Sequence, residues 1–195
     1  KLAEMPTRFH VENMPESTYL LIPEVSSERR EYIPIGFMHP DTLSSNLVKV
    51  VPDATLYHFG VLTSTMHMAW VRSVCGRLKS DYRYSAGIVY NNFPWPDAPA
   101  DKTRQAIEAA AQSVLDARAA FPGATLADLY DPLTMPPALL KAHQKLDAAV
   151  DKAYGKTGFK SDAERVAFLF QRYQALTSLL PAATVKRSRK KSTAT

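Results

Sequence analysis

The feature that most constrains the fold of this chain is a change of pattern near residue 98. Before that point, eight of the 14 prolines separate short runs of β-branched and aromatic residues. After it, apolar residues recur every three or four positions over long stretches, which is the spacing of amphipathic helices. We therefore expect an α+β fold, in which a strand-rich domain with an embedded helix (1–97) precedes a small all-α helical bundle (98–180).

Five short runs in the first half are candidate strands because they are rich in branched and aromatic residues. They are YLLI (19–22), YIPIGF (32–37), LVKVV (47–51), TLYHF (55–59) and GIVY (87–90). Pro34 predicts an edge strand or a bulge, since proline cannot donate a ladder hydrogen bond. Between the last two runs, residues 61–74 have helical periodicity, and Gly76 is a candidate C-cap. This half is therefore expected to be mostly β with one helix.

The second half predicts three amphipathic helices and a short one, joined by tight loops. They cover 101–121, a short turn from Thr125, 136–155 and 161–180. Thr125 and Asp128 have capping-box spacing, and so have Ser161 and Glu164. The third segment begins with proline and ends in Gly155, the usual asymmetry of a helix. Its predicted buried face comprises Leu139, His143, Leu146, Val150 and Tyr154.

The net charge of +5 is concentrated at one end of the chain. Residues 181–195 hold five cations and no acid, which leaves 19 basic and 19 acidic residues elsewhere. We interpret this segment as a basic disordered tail that adds non-specific attraction to phosphates. The single cysteine, Cys75, excludes an internal disulfide and fits a reducing, cytoplasmic setting. No apolar run approaches the length of a membrane span, so no membrane partner is expected.

The motifs of a self-contained enzyme are absent from the sequence. It has no GxG, no GxxxxGK[ST], no D/E-x-K and no Asn-Pro-Pro-aromatic run, and its five histidines offer no zinc spacing. His143 and Asp147 could pair as a general base on one helix, but a helix-packing histidine is favoured. Cys75 could be a reactive thiol beside Arg72 and Arg77, or a passive buried one. We therefore expect no catalytic residue, bound cofactor or metal in this chain.

Positive charge outside the tail gathers in residues 72–83, where four cations face Asp81 alone. Serines and tyrosines interleave with these cations. Arginine and lysine can bond to guanine edges or phosphates, while hydroxyl groups fix register on a nucleic-acid backbone. In an extended segment, Arg77 and Lys79 would face one way and Tyr82 the other. Composition alone favours a solvated charged loop slightly over such a reading surface.

Several longer stretches resemble one known family, the MmeI-like restriction-modification enzymes. WVRSVCGRLKSDYRYS (70–85), YNNFPWP (90–96) and SSERREYIPIGF (26–37) resemble its target recognition domain. ATLADLYDPLTMPPALLKAHQKLDAAVDKAYG (124–155) and SDAERVAFLFQRYQAL (161–176) resemble its C-terminal helical domain. In such enzymes one polypeptide also carries a nuclease and an adenine-N6 methyltransferase domain. The resemblance implies a DNA sequence-recognition module that holds the C-terminal portion of the recognition domain.

The same resemblance implies double-stranded DNA and the parent's methyltransferase domain as partners. S-adenosylmethionine would then bind in that methyltransferase domain, outside this sequence. The segment after the Trp70 helix would read bases, with Arg77 and Lys79 as the candidates for direct base contacts.

Further residues are assigned supporting roles by the resemblance. Candidates for phosphate or framework contacts are Arg72, Ser80, Tyr82, Arg83 and Tyr84. Lower-ranked DNA candidates are Glu28, Arg29 and Arg30, because Glu28 and Glu31 offset the charge. A structural turn that stiffens the exit into the helical domain comprises Asn91, Asn92, Pro94, Trp95 and Pro96.

A second hypothesis is a protein-interaction module whose helical domain docks against a partner or against its own methyltransferase core. It is motivated by the exposed side of the 136–154 helix and by the aromatic set Phe168, Phe170 and Tyr173. Those aromatics are more typical of a helical core, which is the favoured interpretation. Salt dependence distinguishes the two hypotheses, because only phosphate-driven binding weakens steeply with ionic strength.

Overall fold

A computed structural model describes residues 14–178 of the chain as two small sheets followed by a set of packed helices. The α+β class expected from the sequence is confirmed. No helix within the described range is long and apolar enough to cross a membrane. The expected basic tail, 181–195, lies outside the described residues, as do residues 1–13.

Within residues 14–178, six short strands form two three-stranded antiparallel sheets. They are β1 (Tyr19–Pro23), β2 (Val25–Ser26), β3 (Gly36–Met38), β4 (Val48–Val51), β5 (Gly76–Leu78) and β6 (Asp81–Arg83). The first sheet has the order β3-β1-β4, and Leu20 pairs with both Phe37 and Val51. The second has the order β2-β6-β5. Because β1 runs directly into β2, the two sheets share one continuous chain segment.

Seven helical segments lie in the same range. They are α1 (Leu56–Leu62), α2 (Thr65–Val74), a π-helix (Ala86–Tyr90), α3 (Asp101–Ala119), α4 (Leu126–Leu129), α5 (Pro137–Ala153) and α6 (Asp162–Thr177). Both predicted capping sites are confirmed, since the hydroxyls of Thr125 and Ser161 accept from the amides of Asp128 and Glu164. Gly155 follows α5 with φ of 72°, a left-handed conformation that favours glycine.

Two of the predicted strands are helical instead. Residues 55–59 begin α1, where the Thr55 amide bonds to His58 Nδ1 over 3.1 Å and completes a capping box. Residues 87–90 lie in the π-helix, whose Val89 carbonyl accepts a hydrogen bond from Trp70 Nε1 over 3.1 Å. In both places, contacts to side chains override the β propensity of the aromatic and branched residues.

The expected single helix over 61–74 is also divided. Thr63 ends α1, and its hydroxyl donates to the Phe59 carbonyl over 2.7 Å. Ser64 then caps α2, accepting a hydrogen bond from the His67 amide at 3.4 Å. Two adjacent hydroxyl residues thus provide a helix end and a helix start, which is a known preference of Ser and Thr.

One hydrophobic cluster extends through both halves of the chain. Gly60 of α1 lies against α3 so closely that a Cβ there would approach Ile107 Cγ2 to 2.7 Å. Trp70 of α2 packs on α6, with its ring centroid 5.2 Å from Phe170 and 5.9 Å from Tyr173. The helices that precede residue 98 therefore complete the core of the helices that follow it.

A buried polar network also joins the halves. Arg118 of α3 donates from Nη1 to the Ile35 carbonyl over 2.8 Å and from Nε to the Tyr130 hydroxyl over 2.8 Å. The Tyr130 hydroxyl lies 2.6 Å from His143 Nε2. Since the guanidinium is buried with neutral partners, its hydrogen bonds compensate its loss of hydration.

His143 and Asp147 bond to different partners rather than to each other. Asp147 accepts hydrogen bonds of 2.7 Å from the Tyr32 hydroxyl and from the Thr65 amide. His143 instead bonds to Tyr130 and stacks on the Tyr32 ring at 4.0 Å. Burial lowers the pKa of His143 to about 3, so the ring is neutral at pH 7. The geometry is that of a packing histidine, not of a general base.

Candidate nucleic-acid interface

Strands β5 and β6 form a hairpin that carries both candidate base-reading residues. Leu78 pairs with Asp81, so Lys79 and Ser80 form a two-residue turn. Lys79 has φ of 57°, and such turns require a positive φ at one or both central positions. The expectation of one extended segment over Arg77–Tyr82 is therefore wrong, because the chain reverses at Lys79. Alternation of faces does not continue through the turn.

The reversal places Arg77 beside Tyr82 on neighbouring strands. The Arg77 guanidinium carbon lies 4.2 Å from the centroid of the Tyr82 ring, a cation–π contact. Nη1 donates to the Ser80 carbonyl over 2.9 Å and lies 3.7 Å from Glu28 Oε2. The side chain is still 39% exposed, on an edge strand of its sheet. Arg77 is thus held in a defined position with part of its surface open to solvent.

The turn at residues 27–31 lies against this hairpin. The Glu28 amide donates to Asp81 Oδ1 over 3.4 Å, and its carbonyl accepts from the Tyr82 hydroxyl over 3.5 Å. Arg29 in the same turn is exposed, and Arg30 is partly buried. The structure brings Glu28 against the hairpin, and Arg29 and Arg30 follow it in the same turn. We call residues 27–31 and 76–83 the hairpin–turn surface.

Two of the framework candidates, Tyr82 and Tyr84, are buried beneath the surface rather than exposed on it. The Tyr84 hydroxyl lies 3.1 Å from His67 Nε2, and His67 Nδ1 lies 2.9 Å from the Leu62 carbonyl. Burial raises the pKa of Tyr84 and lowers that of His67 to about 4, so both groups stay neutral at pH 7. These contacts fix the base of the hairpin to α2.

The remaining framework candidates differ in how free they are. Arg83 Nε donates to Glu24 Oε1 over 3.1 Å, while its side chain is largely exposed. Hydrogen bonds from Lys49 and then Arg83 lower the pKa of Glu24. Ser80 is exposed at the hairpin turn. Arg72 bonds instead to Asp162 Oδ2 over 2.6 Å and to the Glu31 carbonyl over 3.0 Å.

The turn at residues 91–96 links the first half to α5 and α6. Asn92 Nδ2 donates to the carbonyls of Gly87 and Ile88, over 2.7 and 3.2 Å. Tyr154 donates to the Pro94 carbonyl over 3.1 Å. Pro94 and Pro96 are buried, Asn91 is exposed, and Trp95 is partly buried. The contacts of this turn run to protein groups on both sides of it.

The reactive-thiol alternative for Cys75 is not supported by its surroundings. Burial raises the pKa of the Cys75 thiol, which outweighs the opposing effect of Arg77. Within residues 14–178, there is no group of three or more His, Cys, Asp or Glu side chains that could hold a metal ion.

Lys79 carries a backbone strain that glycine would relieve. We expect Lys79→Gly to raise the free energy of unfolding by about 0.5–1 kcal/mol, because glycine adopts positive φ without a Cβ clash. Lys79→Ala removes the same charge but keeps the Cβ, so it should give no such gain. Urea unfolding of both variants measures the difference. Equal stabilities for glycine and alanine would show that this φ is not strained.

The family profile described as "MmeI, target recognition domain" matches residues 1–97, and "MmeI, C-terminal domain" matches residues 99–181. DNA methyltransferase A of Bacillus subtilis (strain 168) is 47% identical over 177 residues, which cover 91% of this chain and 20% of that protein.

A solved structure of the Type IIL restriction-modification enzyme MmeI in complex with DNA is also similar. It is 53% identical, with a TM-score of 0.86, and the match covers 91% of this chain and 24% of that one. The chain thus spans between a fifth and a quarter of the length of these two relatives.

Proposed function

This chain belongs to the MmeI family, with matches to both its target recognition domain and its C-terminal domain, and from that premise we propose that it recognises a DNA sequence for a restriction-modification enzyme. The observation that carries the proposal is the hairpin–turn surface. It presents Arg77 on the edge strand β5 of a three-stranded sheet and Lys79 at the tip of the β5–β6 hairpin. The tip of such a hairpin can enter the major groove of B-DNA, where each base pair shows a distinct pattern of donors and acceptors.

Arg77 and Lys79 have different chemical roles in this proposal. The planar guanidinium of Arg77 can bond in parallel to N7 and O6 of guanine, and its stacking on Tyr82 orients that plane. Lys79 contributes a mobile point charge at the hairpin tip that reaches a base edge or a phosphate. Glu28, 3.7 Å from Arg77, adds an acceptor to the same surface. An acceptor of this kind suits the amino group of cytosine or adenine.

DNA recognition and methyl transfer would be carried out by two different parts of a longer polypeptide. Methyl transfer from S-adenosylmethionine to adenine N6 would occur in a methyltransferase domain, and this chain would select the DNA sequence. The seven glycines form no GxG turn that could hold the cofactor, so no residue of this chain is assigned to it. Double-stranded DNA and that methyltransferase domain are the proposed partners.

The two arginines of the hairpin, Arg77 and Arg83, allow a matched test of the proposed function. In the full-length protein, we expect Arg77→Ala to lower discrimination among duplexes by about 1–3 kcal/mol, the value of one base contact. Arg83→Ala, which removes an equal charge, should weaken binding to all sequences alike. Both are measured by methylation of a duplex library with a randomised segment, followed by sequencing of the methylated fraction.

Two outcomes would count against the proposal. Unchanged sequence preference in both Arg77→Ala and Lys79→Ala would remove the hairpin from base recognition. Binding of duplex DNA that does not weaken as salt is raised would exclude phosphate contacts, since these release counterions. The latter result would favour apolar docking on a protein partner instead.

A further inference from the structure

The guanidinium of Arg72 lies where three segments meet. Nη1 donates to Asp162 Oδ2 over 2.6 Å, and Nη2 donates to the Glu31 carbonyl over 3.0 Å. Arg72 is in the last turn of α2, and Asp162 is in the first turn of α6. Each charge is therefore at the helix end that favours its sign. One side chain thus connects the helix before the hairpin, the turn at 27–31 and the C-terminal helix.

The contacts of Arg72 close a ring around the hairpin–turn surface. Gly76 begins the hairpin four residues after Arg72, with Cys75 as the C-cap of α2. On the other side, Glu28 at the start of the turn bonds to the hairpin through Asp81 and Tyr82. Glu31, at the end of the turn, bonds to Arg72. The turn is therefore held at both ends, and Arg72 sets its distance from α2.

The ion pair of Arg72 with Asp162 should contribute little to the free energy of unfolding, because both side chains are partly exposed. The Arg72 and Asp162 side chains are 29% and 43% exposed, and ion pairs of that kind are weak in water. Apolar packing between α2 and α6 is supplied by Trp70, Phe170 and Tyr173. Loss of the Asp162 carboxylate should therefore leave the fold intact while it releases Arg72. The main effect of this ion pair is therefore on the position of the turn at 27–31 relative to α2.

From these contacts we infer that Asp162 is a positioning residue for DNA sequence recognition, which it serves through Arg72 from the C-terminal domain. The inference rests on the proposed function of the hairpin–turn surface. It also makes Arg72 a residue that holds the hairpin–turn surface in place through internal hydrogen bonds, and not a phosphate contact. Base readers need to be held closely in place, because a small displacement removes a hydrogen bond to a base edge. The C-terminal domain then contributes to DNA sequence recognition through Asp162.

The test compares Asp162→Asn with a matched variant in the full-length protein. Asp97→Asn removes the carboxylate of a similar group, in which Arg172 of α6 bonds to Asp97 over 2.9 Å and to the Trp95 carbonyl over 3.1 Å. Those partners precede α3 and lie outside the hairpin–turn surface. Discrimination is measured with the randomised duplex library, and stability with urea.

Asp162→Asn should lower discrimination by about three- to tenfold, which is at or below the lower part of the range for a whole base contact. Its unfolding midpoint should change little, because a partly exposed ion pair and one charge at a helix end contribute weakly, and its binding to non-cognate duplexes should stay unchanged. Asp162→Glu, which keeps the carboxylate, should restore part of the discrimination. Asp97→Asn should leave discrimination as it is. A structural role alone would move the midpoint and not the sequence preference.

Three results would overturn the inference. One is equal discrimination in Asp162→Asn and Asp97→Asn while Arg77→Ala lowers it, which leaves the proposed function standing. Another is an Arg72→Gln variant that weakens all sequences alike while Asp162→Asn has no effect, which makes Arg72 a phosphate contact. The third is unchanged discrimination in Arg77→Ala, Lys79→Ala and Asp162→Asn, which overturns the proposed function as well.

Discussion

Replacing Trp70 by alanine should lower the free energy of unfolding by about 3–5 kcal/mol, the range for large aromatic side chains deleted from a core. Trp70 is 2% exposed and packs on Phe93, Phe170 and Tyr173. Its Nε1 also donates to the Val89 carbonyl over 3.1 Å, so the substitution leaves a buried acceptor without its donor. The expected loss combines a cavity with an unmade hydrogen bond.

Chemical unfolding in urea measures this loss, with two variants as references. Trp70→Phe keeps most of the ring packing and should cost less than the alanine variant, although it also loses the Nε1 donor. Leu133→Ala should change little, because Leu133 is 87% exposed. If Trp70→Ala cost no more than Leu133→Ala, packing of α2 on α6 would not stabilise the fold. The connection between the halves would then have to come from α1, α3 and α5.

The helical half could be predicted well because its signals are local. The caps at Thr125 and Ser161 depend on residues three positions apart, and the structure has both. All five residues of the predicted buried face of α5 are buried: Leu139, His143, Leu146, Val150 and Tyr154. A periodic apolar stripe specifies such a face without knowledge of what it contacts.

The strand-rich half was predicted less well because its short runs depend on distant partners. The run at 87–90 has β-branched residues, but Trp70 and Asn92 take up its carbonyls and a π-helix results. The run at 55–59 has aromatic residues, but Phe59 is buried among helices. β propensity describes the fit to a half-buried sheet surface, and it does not reveal whether a sheet neighbour is available.

The candidate site, too, could be predicted where its signals are local and not where it depends on distant residues. The basic and aromatic composition of 72–83 identified the segment, but not the hairpin, because Lys79-Ser80 lacks the glycine usual in two-residue turns. The contact of Glu28 with Arg77 spans 49 positions, and that of Arg72 with Asp162 spans 90. No local pattern in a single sequence signals pairs so far apart. The contact of Arg72 with Asp162 could therefore be found only from the folded chain.

Acidification from about pH 7 to about pH 5 should lower the free energy of unfolding by about 2–3 kcal/mol through three buried groups, His67, His143 and Asp147. The loss comes from the two histidines. Burial lowers the pKa of His67 to about 4, and burial together with Arg118 lowers that of His143 to about 3, from an ordinary value of 6.5. Between those values the unfolded chain binds more protons than the folded one. Each histidine therefore contributes a loss of about 2 kcal/mol as the pH falls to 5.

Asp147 opposes this loss. Burial raises the pKa of its carboxyl to about 6 from an ordinary value of 3.8, despite hydrogen bonds from Thr65 and Tyr32 that lower it. The negative charge of nearby Asp151 raises it further. The folded chain binds more protons than the unfolded chain between these values, so this group stabilises the fold as the pH falls through 6. Its contribution at pH 5 is about 1 kcal/mol, smaller than that of the two histidines together.

An Asp147→Asn variant separates the opposing groups. Asparagine keeps the acceptor for the Thr65 amide and has no proton to gain, so the loss between pH 7 and pH 5 should grow to about 4 kcal/mol. His67→Gln should reduce the loss by about 2 kcal/mol, whatever its own cost in stability at pH 7. Urea unfolding of the three proteins at both pH values measures these differences. A stability that stays level or rises on acidification, in the unaltered chain, would mean that the buried rings do not gain protons on unfolding.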